Sequence, residues 1–316
     1  MAVVMSSEQS VKPVQQARHI LLISGKDSLM TAIIQKTRQP ELRYECLFNN
    51  TYAELPEVYA WLKKVEAYLG MPIETVGANL EEIIMQEGGL PGYGTAFGRF
   101  CTRRAKVEPM EQRIGSGKAF VYYGLRADEP ERVGYKQNAD YDITPVYPLR
   151  EMGFTLPLVW HGLEQLDLLP PQFFWQTVYD RVMERLGPYA EFVENLLPWE
   201  RAYLFAWRTR PNCYYCYNQR VYEWVGLLDS YPDLYWQAAW IEENVGKDND
   251  KKQRVKMFTW RQGEALRELA ARVDEVREQR VKDICKMIIK RAQGTMFSVE
   301  PFDDLSVSSC GLTCGK

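Results

Sequence analysis

Residues 19–37 read HILLISGKDSLMTAIIQKT, and the fold turns on how this stretch is parsed. Ile20 to Ile23 is a short continuous apolar run, the pattern of a buried strand. Ser24, Gly25, Lys26, Asp27 and Ser28 form a tight polar loop, after which Leu29, Ile33 and Ile34 recur at helical spacing. A glycine-containing turn from strand to helix gathers backbone N–H groups and the positive end of a helix dipole at one point, which suits a phosphate. Lys26 adds a cation there, and Ser24 and Ser28 add hydroxyl donors. The loop is not a Walker A motif. GxxxxGK would need glycine where Ile20 stands, and Asp27 occupies the Ser/Thr position.

Downstream, Pro40 breaks the helix and Tyr44 to Phe48 reads as a second strand. A helix over Leu55 to Leu69 and a third strand near Ile73 to Val76 follow, then a short helix over Leu80 to Met85. The glycine-rich connection EGGLPGYGTAFGRF (Glu87 to Phe100) reads as a substrate-facing or long surface loop. One helix is expected from Thr102 to about Ile114, a fourth strand over Phe120 to Tyr123 and a fifth over Asp142 to Tyr147. This rhythm predicts an α/β fold, a parallel twisted sheet with helices on both faces, over residues 18–156. Ligands of such sheets sit at the carboxyl ends of the strands, where Ser24–Ser28 and Asn49–Glu54 both lie.

From Pro157 onward the pattern predicts a mostly helical region to residue 316. Its aromatics Phe173, Phe174, Trp175, Tyr179, Trp199, Tyr203, Phe205 and Trp207 are expected to serve mainly as packing. A single long terminal helix is predicted over roughly Gln262 to Ala292, with Leu266, Leu269, Val273 and Val276 on one face.

The chain has 316 residues, 46% of them hydrophobic, enough for one large or two unequal domains. No apolar run reaches the roughly 18 to 20 residues of a membrane span. Residues 1–17 read as a loose lead-in without the pattern of a secretory signal, so a cytoplasmic location is expected. The net charge of −3 is uneven: residues 251–291 carry 13 Lys and Arg against 6 Asp and Glu. This basic segment is a candidate contact for nucleic acid. Seven cysteines then point to thiols, metal or catalysis rather than a disulfide framework.

The loop SGKDS resembles the SGGKDS pyrophosphatase loop of the PP-loop superfamily, with one glycine of the pair absent. Four further segments occur in the order of the phosphoadenosine phosphosulfate (PAPS) reductase-like branch of that superfamily. They are NNTYAELPEVYAWL (Asn49 to Leu62), CTRRAKVEPM (Cys101 to Met110), GLRADEPER (Gly124 to Arg132) and the Cys-x-x-Cys segment PNCYYCYNQRVYEWVGLLDSYPDLYWQA (Pro211 to Ala238). The resemblance implies an adenine nucleotide alpha-hydrolase-like fold. It implies a nucleotide held by Ser24, Gly25, Lys26, Asp27, Ser28, Thr51, Glu54, Lys106, Gly124 and Arg126, with Asp27 as a candidate Mg²⁺ ligand. Arg126 is suited to forking onto phosphate, and Arg103, Arg104 and Lys106 are close enough along a helix to face the same cleft.

Two activities fit this branch. Lys26-Asp27-Ser28 resembles the ATP-splitting sulfur-transfer members, which implies catalysis by Lys26, Asp27 and Arg126 on ATP and Mg²⁺. The expected acceptor is nucleic acid, with DNA phosphorothioation first and tRNA thiolation second, supplied by a cysteine desulfurase or another sulfur-donor protein. The tail SSCGLTCGK (Ser308 to Lys316) is similar instead to the mobile tail of the reductases, which implies Cys310 as nucleophile of a PAPS or adenosine phosphosulfate reductase. Ser309 and Thr313 replace the usual Glu and His of that tail, and Lys316 is the only cation local to it. Cys213, Cys216, Cys310 and Cys314 are candidate ligands of a 4Fe–4S cluster, and Cys101 is a further candidate in a three-cysteine arrangement. Zinc and unmetallated thiols remain open for the same residues. Cys46 and Cys285 read as core, and His19 and His161 are too few for a histidine-rich metal site. A non-catalytic nucleotide-binding subunit is the remaining reading, and a homo-oligomer is compatible with all three.

Overall fold

The computed structural model describes residues 17–92, 98–245, 259–261 and 263–294. Five parallel strands form the main sheet: β1 (Arg18–Leu22), β2 (Tyr44–Asn49), β3 (Ile73–Val76), β4 (Ala119–Tyr122) and β5 (Ile143–Val146). Their order is β3-β2-β1-β4-β5. The chain therefore builds outward from β1 through β2 to β3, then crosses back to begin again at β4 beside β1. That reversal leaves a crevice at the carboxyl ends of β1 and β4, where neighbouring connections diverge.

Side-chain alternation explains why both faces are covered. Leu21, Cys46, Phe48 and Tyr122 point to one face, into a core that includes Leu29 and Ala32 of helix α1 (Lys26–Arg38) and Val58 and Val65 of helix α2 (Pro56–Leu69). Ile20, Leu22, Leu47 and Val121 point to the other, onto Met110 and Ile114 of the helix Glu108–Ile114. Helix α3 (Leu80–Glu87) is started by the Asn79 side chain, which accepts from Glu81 N at 3.1 Å.

The helix expected over Thr102 to Ile114 is three pieces: a turn at Phe100–Thr102, a widened turn at Arg103–Val107, and Glu108–Ile114. Pro109 is the physical reason. It has no N–H to offer Ala105, four residues back. The carbonyl so released accepts from Ala78 N at 3.2 Å and ties this segment to the end of β3.

The C-terminal half is mostly helical, with two departures from expectation. Phe173–Phe174 (β6) pairs antiparallel with Ala206–Arg208 (β7) inside a region read as helices alone. The long terminal helix is broken into Leu266–Ala270 and Val273–Ala292. Glu242 fixes the incoming piece, accepting from Trp260 N at 2.8 Å and Leu266 N at 2.7 Å. Arg272 turns back to bond Glu264, so the break is a tertiary demand on an otherwise helix-compatible sequence. Of the eight aromatics expected to pack, six are buried, Tyr179 lies against the same core, and Phe174 is the most exposed.

Trp207 of β7 packs closely against the helix Val221–Ser230, where a Cβ on Gly226 would fall 2.2 Å from Trp207 Cγ. Gly226→Ala is expected to destabilise the protein by about 1–3 kcal/mol through overpacking. Urea unfolding measures this, and a change within about 0.5 kcal/mol would mean that Trp207 can move aside.

Candidate functional site

The first turn of α1 is built by Ser28. Its hydroxyl oxygen accepts from Ser24 N at 2.9 Å and Gly25 N at 3.0 Å, and donates to Gly25 O at 2.9 Å. The two loop amides are thus occupied. The anion-attracting groups that remain are the first N–H groups of α1, which by helix geometry lack intrahelical acceptors. Gly25 has an extended backbone, so its φ does not demand glycine. Space there is tight: an added Cβ would lie 3.3 Å from Cγ of Pro211, which would have to shift by a few tenths of an ångström.

Gly124, just past β4, is more tightly constrained. A Cβ there would fall 2.5 Å from the backbone of Asp27 and Ser28. The absence of a side chain lets the β4 edge close on the first turn of α1, and this brings Arg126 to Asp27. Asp27 is gripped from both sides, by Lys26 Nζ at 2.9 Å and by an Arg126 guanidinium nitrogen at 3.1 Å. Arg126 also holds Asp128 at 2.8 Å and Glu129 at 3.5 Å, and Arg132 meets Glu129 at 2.9 Å. Asp128 accepts from Leu156 N at 3.0 Å, which anchors the following helix Leu156–Gln165. Trp160 of that helix lies under Lys26, with Nζ 6.0 Å from its ring.

Nearly all of this network is buried. Burial pushes the Asp27 carboxyl up, but Lys26 and Arg126 together outweigh it and leave it at about 2. Burial pulls the Lys26 ammonium below its ordinary range, with Asp27 opposing and Arg126 reinforcing. Asp27 is therefore held as a carboxylate, and Lys26 is a desolvated cation that gains from any further anion.

At the neighbouring strand end, Glu54 accepts from Thr51 Oγ1 at 2.8 Å and from the backbone N–H groups of Thr51 and Ala53. Its observed role is to shape the Asn50–Glu54 loop. Asn50 Oδ1 serves the same loop, accepting from Tyr52 N and Tyr59 Oη. Asn49 Oδ1, at the end of β2, is buried with no hydrogen-bond partner among the described residues. A buried orphan acceptor costs about 1–3 kcal/mol unless a ligand donates to it, and Asn49, which the sequence marks only as the start of the segment Asn49 to Leu62, presents one at this strand end.

Cys101, Cys213 and Cys216 line one cleft together with Thr51, Lys106 and Tyr215. The Cys213–Cys216 turn is joined to the strand-end loop by Tyr214 N, which donates to Ala53 O at 2.7 Å. Among the described residues no three His, Cys, Asp or Glu side chains stand in metal-binding arrangement. Cys310 and Cys314 lie outside the described residues, so the four-cysteine ligand set is not visible as such. Burial raises the thiols of Cys46, to about 11, and Cys285, in keeping with core positions.

Residues 18–163 match the family model of the phosphoadenosine phosphosulfate reductase domain. This part of the chain is a PAPS reductase-like domain of the PP-loop superfamily. A curated relative, the uncharacterized nin region protein ORF290 of Escherichia phage lambda, is 21% identical over 175 residues, 46% of this chain. The chain spans 59% of that relative's length. Among solved structures, phosphoadenylyl-sulfate reductase from Candida auris in a phosphate complex is similar at 14% identity, covering 49% of this chain and 75% of that one, with a TM-score of 0.34.

Within the PAPS reductase-like domain the structure gathers Ser24, Gly25, Lys26, Asp27, Ser28, Gly124 and Arg126 at the switch point. Thr51, Glu54 and Lys106 stand at the adjoining strand end. Arg103 and Arg104 do not join them. Arg103 pairs with Glu108 at 2.9 Å, and Arg104 pairs with Glu87 and Gln86. The widened turn before Pro109 changes the angular spacing on which their shared face was predicted. In the basic segment, Arg261 and Arg272 pair with Glu264, Arg267 with Glu243, and Arg277 with Asp229 and Asp274. Its described arginines are therefore largely neutralised. Residues 251–258 lie outside the described residues. No described helix is long and apolar enough to cross a membrane.

The depressed Asp27 carboxyl has a signed consequence. Its contribution to stability is complete above the ordinary carboxylate range and lost as pH falls toward about 2. Asp27→Asn should therefore be less stable than wild type near neutrality, and the gap should close between about pH 4 and 2. Denaturant titrations across that range measure it. A gap that stays constant down to pH 2 would show that the carboxyl is not held low.

Proposed function

We propose that this chain is an ATP-dependent sulfur-transfer enzyme that adenylates an acceptor and releases pyrophosphate. The observation that carries the reading is the convergence of Lys26, Asp27 and Arg126 at the switch point beside a cleft bearing three cysteines. A triphosphate placed there draws Lys26 and Arg126 from Asp27 onto phosphate oxygens. The exchange keeps both cations neutralised and frees a carboxylate suited to Mg²⁺. Lys26, Arg126 and the α1 amides stabilise charge on the departing pyrophosphate.

For a phosphodiester acceptor, a non-bridging oxygen attacks the α phosphorus of ATP and pyrophosphate leaves. A protein persulfide then attacks the activated acceptor phosphorus, and AMP departs with the original oxygen. A second thiol cleaves the S–S bond, which leaves sulfur on phosphorus and a disulfide for an external thiol to reduce. Cys101, Cys213 and Cys216 line the cleft where such thiols are needed. DNA phosphorothioation is the acceptor reaction argued first and tRNA thiolation the second. The sulfur donor is a cysteine desulfurase or an equivalent persulfide protein.

A 4Fe–4S cluster on Cys213 and Cys216, completed by Cys101, Cys310 or Cys314, is the alternative to free thiols in this cleft. When bound it would supply an iron site for sulfide. Iron and acid-labile sulfide in anaerobically purified protein, both lost in Cys213→Ser, test it. Stoichiometric zinc, or no metal in folded protein, would count against the cluster.

The activity is tested by offering labelled ATP and labelled PAPS separately, with Mg²⁺ and candidate oligonucleotides. AMP and pyrophosphate from ATP are expected, falling by about 10²-fold or more in Lys26→Ala and Arg126→Met. Sulfite and adenosine 3′,5′-bisphosphate from PAPS, dependent on Cys310 and an external dithiol, would establish the reductase activity instead. Tight nucleotide binding without product from either, with acceptor present, would leave the non-catalytic subunit.

A further inference from the structure

Thr102 lines the cleft that bears Cys101, Cys213 and Cys216. The residue is half-buried, but its hydroxyl oxygen is buried and has no hydrogen-bond partner among the described residues. The other threonine of the lining is committed to the fold: the Thr51 hydroxyl donates to Glu54 at 2.8 Å.

Local structure explains why the Thr102 hydroxyl is left over. A helical threonine commonly returns its hydroxyl to the carbonyl four residues back. Thr31 and Thr37 do so on α1, donating to Asp27 O at 2.9 Å and to Ile33 O at 2.8 Å. Thr102 ends the three-residue turn Phe100–Thr102, so the residue four back, Gly98, precedes the helix. The widened turn Arg103–Val107 follows directly, and its Lys106 lines the same cleft. Widened turns of this kind recur at functional sites.

A desolvated hydroxyl without a partner costs stability until a ligand engages it. It is also preorganised, because it can donate to an incoming anion without first giving up another bond. The walls decide which anion fits. Leu80, Pro91 and Tyr215 give the cleft apolar and aromatic surface, Lys106 brings a cation, and three cysteines bring sulfur. A small, strongly hydrated oxyanion would lose much of its solvation there. A sulfur anion is larger and more weakly hydrated, and on a cleft cysteine it is delivered covalently.

We propose that Thr102 donates a hydrogen bond to the outer sulfur of a persulfide held on a cysteine of this cleft, and so keeps that sulfur in place until the acceptor is activated. The proposal deepens the sulfur-transfer reading above and rests on it. In the loading step a cleft thiolate attacks the outer sulfur of the donor's persulfide. The donor S–S bond breaks, the donor leaves as a thiolate, and the outer sulfur remains on the cleft cysteine as a persulfide anion. Thr102 keeps its proton throughout.

Inorganic polysulfide tests this without a donor protein, since it gives up one sulfur to a thiolate and departs one sulfur shorter. Anaerobically purified protein is loaded, desalted and sampled over time by cyanolysis, which converts the transferred sulfur to thiocyanate. Thr102→Val keeps the shape and removes the hydroxyl, and it should lose persulfide roughly tenfold faster than wild type. Thr102→Ser should decay like wild type. The fraction sensitive to Thr102 should vanish in one of Cys101→Ser, Cys213→Ser and Cys216→Ser. Melting temperature separates this role from a structural one: loss of an unpartnered buried hydroxyl should leave Thr102→Val as stable as wild type or more so. No persulfide on wild type, equal decay in Thr102→Val, decay of Thr102→Ser as fast as Thr102→Val, a sensitive fraction that survives all three cysteine substitutions, or a marked fall in the melting temperature of Thr102→Val would overturn the proposal. The readout needs no nucleotide. ATP left uncleaved while persulfide depends on Thr102 would sink the ATP reading alone, and ATP cleaved while persulfide ignores Thr102 would sink this proposal alone.

Discussion

The grip on Asp27 is the constraint on which the site depends. Lys26 and Asp27 belong to the first turn of α1, while Arg126 belongs to the loop after β4, so one carboxylate ties together the two sides of the topological switch. The ion pair is possible only because Gly124 lets backbone approach backbone. From Arg126 the same network runs through Asp128 to the start of the helix Leu156–Gln165, which returns Trp160 to the underside of Lys26. Charge, backbone space and aromatic packing thus position the same two cations.

At the switch point, cations and carboxylates stand side by side: Lys26 and Arg126 share Asp27, and Arg126 also reaches Asp128 and Glu129. Pairing of this kind offsets the cost of burying the charges, and it lets the cations exchange one anion for another without losing a counter-charge.

Much of the α/β half was legible because its signals are local. Short apolar runs, glycine or proline punctuation and helical periodicity located all five strands of the sheet and the two helices after β1 and β2. The misses share one physical cause: they depend on partners distant in sequence. The short β6–β7 pairing has no pattern of its own, and the break before Val273 is imposed by Glu242 and Glu264 from other segments. Arg103 and Arg104 were placed by ideal helical spacing, which Pro109 disrupts. The charge run over residues 251–291 was visible, but the carboxylates that neutralise its arginines lie partly on other elements. Asn49 heads a recognisable segment, but its orphaned acceptor exists only after folding.

The cysteine cleft extends the same logic to the second strand end. Tyr214 N donates to Ala53 O, so the Cys213–Cys216 turn and the Thr51–Glu54 loop share a backbone hydrogen bond. The Tyr214 hydroxyl donates to Gln237, whose amide in turn donates to Glu81 of α3. Thr51 O completes the circuit by accepting from Leu80 N, the first residue of that helix. The Cys213–Cys216 turn is thus hydrogen-bonded, through Tyr214, to the loop that closes the end of β2. The strand-end loop, the start of α3 and the cysteine-bearing turn are therefore held in register by one run of hydrogen bonds between segments far apart in sequence.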